Sequence, residues 1–199
     1  CKMIVVACNT VSALALDYLN STFSIPIIGV IDSGVEKAVE ISQNNKIAVL
    51  GTSATIRSDA YGKRLKAIKP EVVVTSQACP LFVPLAEEGW IDGEIPFQIA
   101  TYYFSSIKKM DVDTVILGCT HYPLLKKTIH SCLGGHIRLV DSGEAVVKNV
   151  ISALEKMKGL SSSSRGQIRC YVTDDPTLFN NIASRFCTKN PEQAVQIDL

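Results

Sequence analysis

Residues Val115–Leu125 read VILGCTHYPLL, an apolar run that stops at a cysteine and turns at once through Thr, His and Pro. A short, unbroken run of branched aliphatic residues fits a strand buried on both faces, as in a parallel sheet. A related stretch, IVVACNTVSAL, occupies Ile4–Leu14. Both stretches continue alike, with IPIIGVIDSGVEKAV at Ile25–Val39 after the first and IRLVDSGEAVV at Ile137–Val147 after the second. Each half therefore runs strand, small residue, Cys, a Thr within two positions, helix, strand, Asp-Ser-Gly and a further helix. Cys8 precedes Asp32 by 24 residues, and Cys119 precedes Asp141 by 22.

The rest of the chain follows the same grammar. Strands are expected at 4–7, 27–30, 47–50, 72–75, 114–117, 137–140, 169–173 and 194–197. Helix-period stretches are expected at 11–20, 35–44, 56–67, 96–109, 124–132, 145–158 and 177–187. Alternation of this kind makes βαβ units and a mainly parallel sheet covered on both faces. Asp32, Asp141 (three residues before Glu144) and the Asp174-Asp175-Pro176 step read as helix caps. The Ser161–Ser164 tract with Arg165-Gly166 reads as a surface connector.

Composition excludes several functions. The 199 residues are 47% apolar, enough for a sizeable core, and carry a net charge of +1. Scattered Lys and Arg leave no electrostatic footprint for nucleic acid or an anionic membrane. The uncharged run Met3–Leu16 is too short to span a bilayer, and no secretory leader opens the chain. The reading is a soluble, cytoplasmic protein. Seven cysteines without CxxC argue against a disulfide framework and a structural zinc, and three histidines without ligand spacing give no metal site. The chain opens on Cys1 with a strand almost at once, which suggests a segment upstream.

In a parallel sheet, ligands bind beyond the carboxyl ends of the strands. Cys8 and Cys119 stand at such ends, each before an expected helix whose N–H groups would lower a thiol's pKa and hold an anion. His121 lies two residues from Cys119, whereas Cys8 has no adjacent His. Two thiols facing each other across a cleft suit the removal of a proton from one face of a carbon and its return to the other. That is the work of a cofactor-independent racemase or epimerase.

The motifs VVACNT (Val5–Thr10), GTSATIRSDAY (Gly51–Tyr61), ACPLFVPLAEEGWIDGE (Ala78–Glu94), LGCTHYPLL (Leu117–Leu125), LVDSGEAV (Leu139–Val146) and TDDPTLF (Thr173–Phe179) resemble those of the glutamate racemases, within the aspartate/glutamate racemase superfamily. The resemblance covers essentially the whole chain. It implies that Cys8 and Cys119 are the acid/base pair interconverting L- and D-glutamate, without cofactor or metal. His121 would assist Cys119, together with Glu87 or Glu88, of which spacing favours Glu88. Asn9, Thr10, Thr120, His121 and the Thr52, Ser53 and Thr55 loop would hold the amino group and carboxylates.

The implied fold is α/β, with two pseudo-symmetric lobes, each a mainly parallel sheet flanked by helices, and the active site between them. Residues 1–31 and 144–199 would form one lobe and 32–143 the other. A homodimer is compatible with this reading, and D-glutamate would feed peptidoglycan synthesis. The family's opening segment, with its Asp partner for the first cysteine, is not among these residues, so the 199 residues alone are expected to lack activity. Asp32 falls where the family usually has Glu-Pro-Gly and is read as a cap. Three alternatives stay open. They are a racemase for another amino acid such as aspartate (or a one-thiol decarboxylase relative), a non-catalytic paralogue with a binding role, and a cysteine hydrolase. His121 after Cys119-Thr120 favours glutamate.

Overall fold

The computed structural model describes residues 1–163, 166–186 and 192–198; Ser164, Arg165 and Cys187, named above, lie outside them. Two compact units divide the chain, Cys1–Gly159 and Leu160–Leu199.

The first unit opens with strand β1 (Ile4–Val6), helices α1 (Asn9–Leu14) and α2 (Leu16–Thr22), strand β2 (Ile27–Gly29) and helix α3 (Ile31–Ile41). Strand β3 (Lys46–Gly51) follows, then α4 (Ser53–Ser58), α5 (Ala60–Ile68) and β4 (Val73–Ala78). Helices α6 (Phe82–Glu88) and α7 (Glu94–Phe104) lead to β5 (Thr114–Gly118), and α8 (Lys126–Leu133), β6 (Arg138–Asp141) and α9 (Ser142–Lys156) close the unit. Strands β1 and β2 pair in parallel, and β4-β3-β5-β6 form a second, wholly parallel sheet. The second unit contains β7 (Tyr171–Val172), α10 (Pro176–Phe186) and β8 (Val195–Gln196), with β7 and β8 parallel. Asp175 accepts the Thr177 amide at 2.8 Å and so caps α10 as expected.

The apolar runs become central strands because both faces are covered. Alternate residues of β3 and β5 point to opposite sides. Ala48, Leu50, Val115 and Leu117 join Phe82, Phe104, Tyr122 and Ile129 in one core, while Ile47, Val49 and Ile116 join Val35, Tyr61 and Leu65 in the other. The α/β class with parallel sheets flanked by helices is the one expected.

Local differences have local causes. The stretch 56–67, read as one helix, breaks at Asp59, whose φ of 53° is left-handed, giving α4 and α5. Helix α6 lies in a stretch where no helix was expected. Pro84 sits in the first turn, where no intrahelical N–H is needed, and Gly89 ends the helix at φ 79°. Asp141 caps α9 by accepting the Gly143 and Glu144 amides. Asp32 is not a cap. Helix α3 starts at Ile31 with Val30 as its N-cap residue, so Asp32 lies in the first turn, and its carboxylate meets Arg64 Nε at 2.6 Å.

Candidate active site

Both cysteines follow the carboxyl end of a parallel strand, Cys8 two residues after β1 and Cys119 directly after β5, whose pairing with β3 runs on to Gly118 opposite Gly51. Val6 is the last residue of β1 paired with β2, opposite Gly29, and Leu117 is the last of β5 paired with β6, opposite Asp141. The Asp-Ser-Gly steps do not share a register. Asp141 is itself paired in the ladder, whereas Asp32 comes three residues after the paired Gly29.

Around Cys119 the polypeptide makes a tight turn. The segment Tyr122–Leu125 is a single 3-10 turn with His121 at its N-cap position, not the α-helix start expected there. Cys119 Sγ lies 3.9 Å from His121 Nδ1, and Thr120 Oγ1 lies 3.3 Å from the same nitrogen. On its other side the imidazole reaches Glu87, with Nε2 to Oε1 at 3.2 Å. Glu87, rather than the Glu88 that spacing favoured, is the acid in contact with His121. One residue along a helix is a rotation of about 100°. Glu88 lines an apolar hollow of about 220 Å³ with Leu81, Leu85, Trp90 and Ile99.

Cys119 is only 6% exposed. Burial pushes its thiol up from the ordinary range, and charge at Cys8 pushes the same way. The His121 and Tyr122 amides and the Thr120 hydroxyl pull it down, without reversing the direction. Burial thus outweighs the N–H groups that were expected to lower it, and the neutral thiol is the favoured form.

Cys8 is exposed at the N-cap position of α1. Asn9 and Thr10 begin the helix. The Thr10 hydroxyl meets those of Thr52 and Thr55 at 2.9 and 3.0 Å, and Thr52 and Thr55 are 3.0 Å apart. Three hydroxyls converge here because Thr52 caps α4 by accepting the Thr55 amide, while Ser53 opens that helix. Such a cluster of neutral donors can receive a carboxylate. Thr120 is exposed beside Cys119.

Asn9 is 2% exposed, and its Oδ1 accepts from the Tyr61 and Ser142 hydroxyls, two residues that sequence reasoning did not single out. Its Nδ2 is a buried donor without a hydrogen-bond partner among the described residues. Among those residues, no three His, Cys, Asp or Glu side chains gather as a metal-binding group, and no helix is long and apolar enough to cross a membrane.

A family model described as Asp/Glu/Hydantoin racemase matches residues 1–150. The chain belongs to that family. A glutamate racemase of Geobacter metallireducens is 44% identical over 199 residues, covering 100% of this chain and 74% of the relative. A crystal structure of a glutamate racemase isoform from Bacillus anthracis superposes with a TM-score of 0.94 at 34% identity, covering 100% of this chain and 74% of the other. A glutamate racemase from Francisella tularensis, solved in complex with D-glutamate, gives 0.91 at 34% identity, with coverages of 99% and 73%. The chain therefore spans about three quarters of the length of these relatives. The expectation of an amino-acid isomerase is met, and Cys8, Cys119, the threonine cluster and Asn9 all lie within the matched residues.

Proposed function

We propose that this chain interconverts L- and D-glutamate without a cofactor, Cys8 and Cys119 serving opposite faces of the α-carbon. The observation that carries the reading is that each thiol follows the carboxyl end of a parallel strand, Cys8 two residues after Val6 and Cys119 directly after Gly118. Cys119, favoured as a neutral thiol, would deliver a proton to one face. The thiolate left behind would be held by the His121 and Tyr122 amides and the Thr120 hydroxyl. In the reverse direction that thiolate abstracts the proton and Cys8 returns one to the opposite face. His121, braced by Glu87, would orient the substrate side of Cys119 and share its proton. The Thr10, Thr52 and Thr55 hydroxyls and the Asn9 amide would hold carboxylates.

Glutamate as substrate is supported by the relatives' names and by the D-glutamate complex of the Francisella tularensis enzyme. The wider reading gives the product to peptidoglycan synthesis in the cytoplasm and is compatible with a homodimer. It also divides the protein into lobes at 31/32 and 143/144, supported by the separation of the β1–β2 sheet from the four-stranded sheet.

The test is exchange of the glutamate α-hydrogen in D2O, followed by proton NMR from each enantiomer. With the family's opening segment restored, exchange from both, without added pyridoxal phosphate and far slower with aspartate, is expected. Equal rates with aspartate, or exchange only with pyridoxal phosphate, would overturn the reading.

A further inference from the structure

Residues far apart in sequence converge on Asn9. The Tyr61 hydroxyl of α5 donates to Asn9 Oδ1. Ser142 Oγ, at the start of α9, lies 3.2 Å from the same oxygen and 3.3 Å from the Leu117 carbonyl, so its one proton is shared between them. Leu117 belongs to the strand that ends at Cys119, and Asn9 directly follows Cys8. Ser142 thus ties together the ends of the two cysteine-bearing strands.

The fold makes room for the Tyr61 ring. A Cβ at Gly118 would lie 3.1 Å from Tyr61 Cε2 and 2.7 Å from the Leu50 carbonyl oxygen. A Cβ at Gly34 would lie 3.3 Å from Ser142 Cβ and 3.5 Å from the Tyr61 hydroxyl. Two glycines on different elements therefore form the slot in which Tyr61, 2% exposed, reaches Asn9.

We infer that Tyr61 and Ser142 are positioning residues that lock the Asn9 carboxamide so that Nδ2 presents its hydrogens to a carboxylate of the substrate. Both hydroxyls address Oδ1, and turning the amide over would deprive the buried Tyr61 proton of this acceptor. The amide orientation is thereby chosen before any ligand arrives. Nδ2 is left as a buried donor with no partner among the described residues, the state that an incoming acceptor relieves. Without Tyr61 the amide is free to flip, and Oδ1 would then face the anion. The inference rests on the proposed racemase reading for the identity of the anion as part of glutamate.

The experiment is a double-mutant cycle with Tyr61→Phe, Asn9→Ala and the pair. Each is read by KM and kcat for α-hydrogen exchange and by calorimetric binding of glutarate, which keeps both carboxylates and lacks the amine. Tyr61→Phe should raise KM and the glutarate Kd roughly 10-fold, with kcat changing far less. Asn9→Ala should do as much, and the double variant should be no worse than Asn9→Ala alone. Ser142→Ala should act in the same direction, which keeps the inference testable if Tyr61→Phe does not fold. Multiplicative effects in the cycle, an unchanged Kd in Tyr61→Phe, or no glutarate binding by the unaltered chain would overturn it. Absence of exchange by the unaltered protein carrying the family's opening segment, with the glutarate cycle as expected, would overturn the racemase reading and leave the positioning intact.

Discussion

The two cysteine stations share a grammar but not an environment. Cys119 ends a central strand of a four-stranded sheet, is buried, and has His121 and then Glu87 behind it. Cys8 ends one strand of a two-stranded sheet, is exposed, and caps α1 with its backbone alone, its carbonyl accepting the Ser12 amide at 2.9 Å. The difference teaches that a motif at the end of a parallel strand places a thiol, while the layer packed behind it sets the thiol's state. For Cys119 that layer decides the sign of the pKa shift, because desolvation outweighs the donors around the sulfur.

The sharpest way to break the comparison is to remove each thiol. In the complete enzyme, Cys8→Ser and Cys119→Ser should each lower racemisation by at least about 10²–10⁴-fold, the size of a general acid–base contribution. A substrate analogue bearing a β-leaving group needs only deprotonation, so each variant should still process one enantiomer, and not the same one. Loss of the same enantiomer in both would mean that the stations are not opposed.

A second test loosens only the strand beneath Cys119. Asp113, just before β5, accepts the Gln43 amide at 2.6 Å, the Asn44 amide at 3.0 Å and the Ser42 hydroxyl at 2.8 Å. Burial raises its pKa, but these bonds and the Thr114 hydroxyl outweigh it, and the carboxyl is held below its ordinary value. A depressed carboxylate stabilises the fold above its unfolded pKa and loses that contribution as pH falls through the folded value. Asp113→Asn should therefore cost about 1–3 kcal/mol near pH 7. In denaturant titrations the deficit should shrink below the usual carboxylate range; a deficit independent of pH would contradict the assignment.

Glu87→Gln sharpens the comparison further. Weakening the brace on His121 should slow turnover roughly 10-fold, chiefly in the direction served by Cys119. Glu88→Gln should stay within about 2-fold, since its side chain faces the apolar hollow and makes no contact that the mechanism needs. The reverse ranking in steady-state rates would restore Glu88 to the site.

The smallest effect separates the two Asp-Ser-Gly steps. Asp141→Ala removes a cap and should cost about 1 kcal/mol. Asp32→Ala breaks only an exposed ion pair with Arg64, whose side chains are 56% and 47% exposed in the order Arg64, Asp32, and should cost less than about 0.5 kcal/mol. Equal losses in thermal unfolding would mean that the steps are equivalent after all.

Much of this was legible in the residues. Each expected strand has a counterpart among the described residues, and for β3 and β5 the apolar runs follow from burial on both faces. The positions of Cys8 and Cys119 at strand ends followed from the same pattern, and Thr10, Thr52 and Thr55, which the resemblance implied as substrate-holding, meet in one hydroxyl cluster. Other features depended on packing. Whether residues 82–88 are helical turned on a proline that only the first turn tolerates, and without that helix nothing distinguishes Glu87 from Glu88. Asp32 resembled Asp141 in its neighbours, yet strand register put it three residues out of place.

Tyr61 and Ser142 illustrate the limit most plainly. They lie 52 and 133 residues from Asn9 along the chain, and neither local periodicity nor turn chemistry relates them to it. Sequence encodes what neighbouring residues can do to one another: which runs must be buried, where strands stop, where a thiol will stand. The partner of a buried polar atom is settled by which surfaces meet once the sheets and helices pack. That is why the thiols could be located from the chain alone, while burial, the His121–Glu87 pair and the lock on Asn9 came only with the tertiary structure.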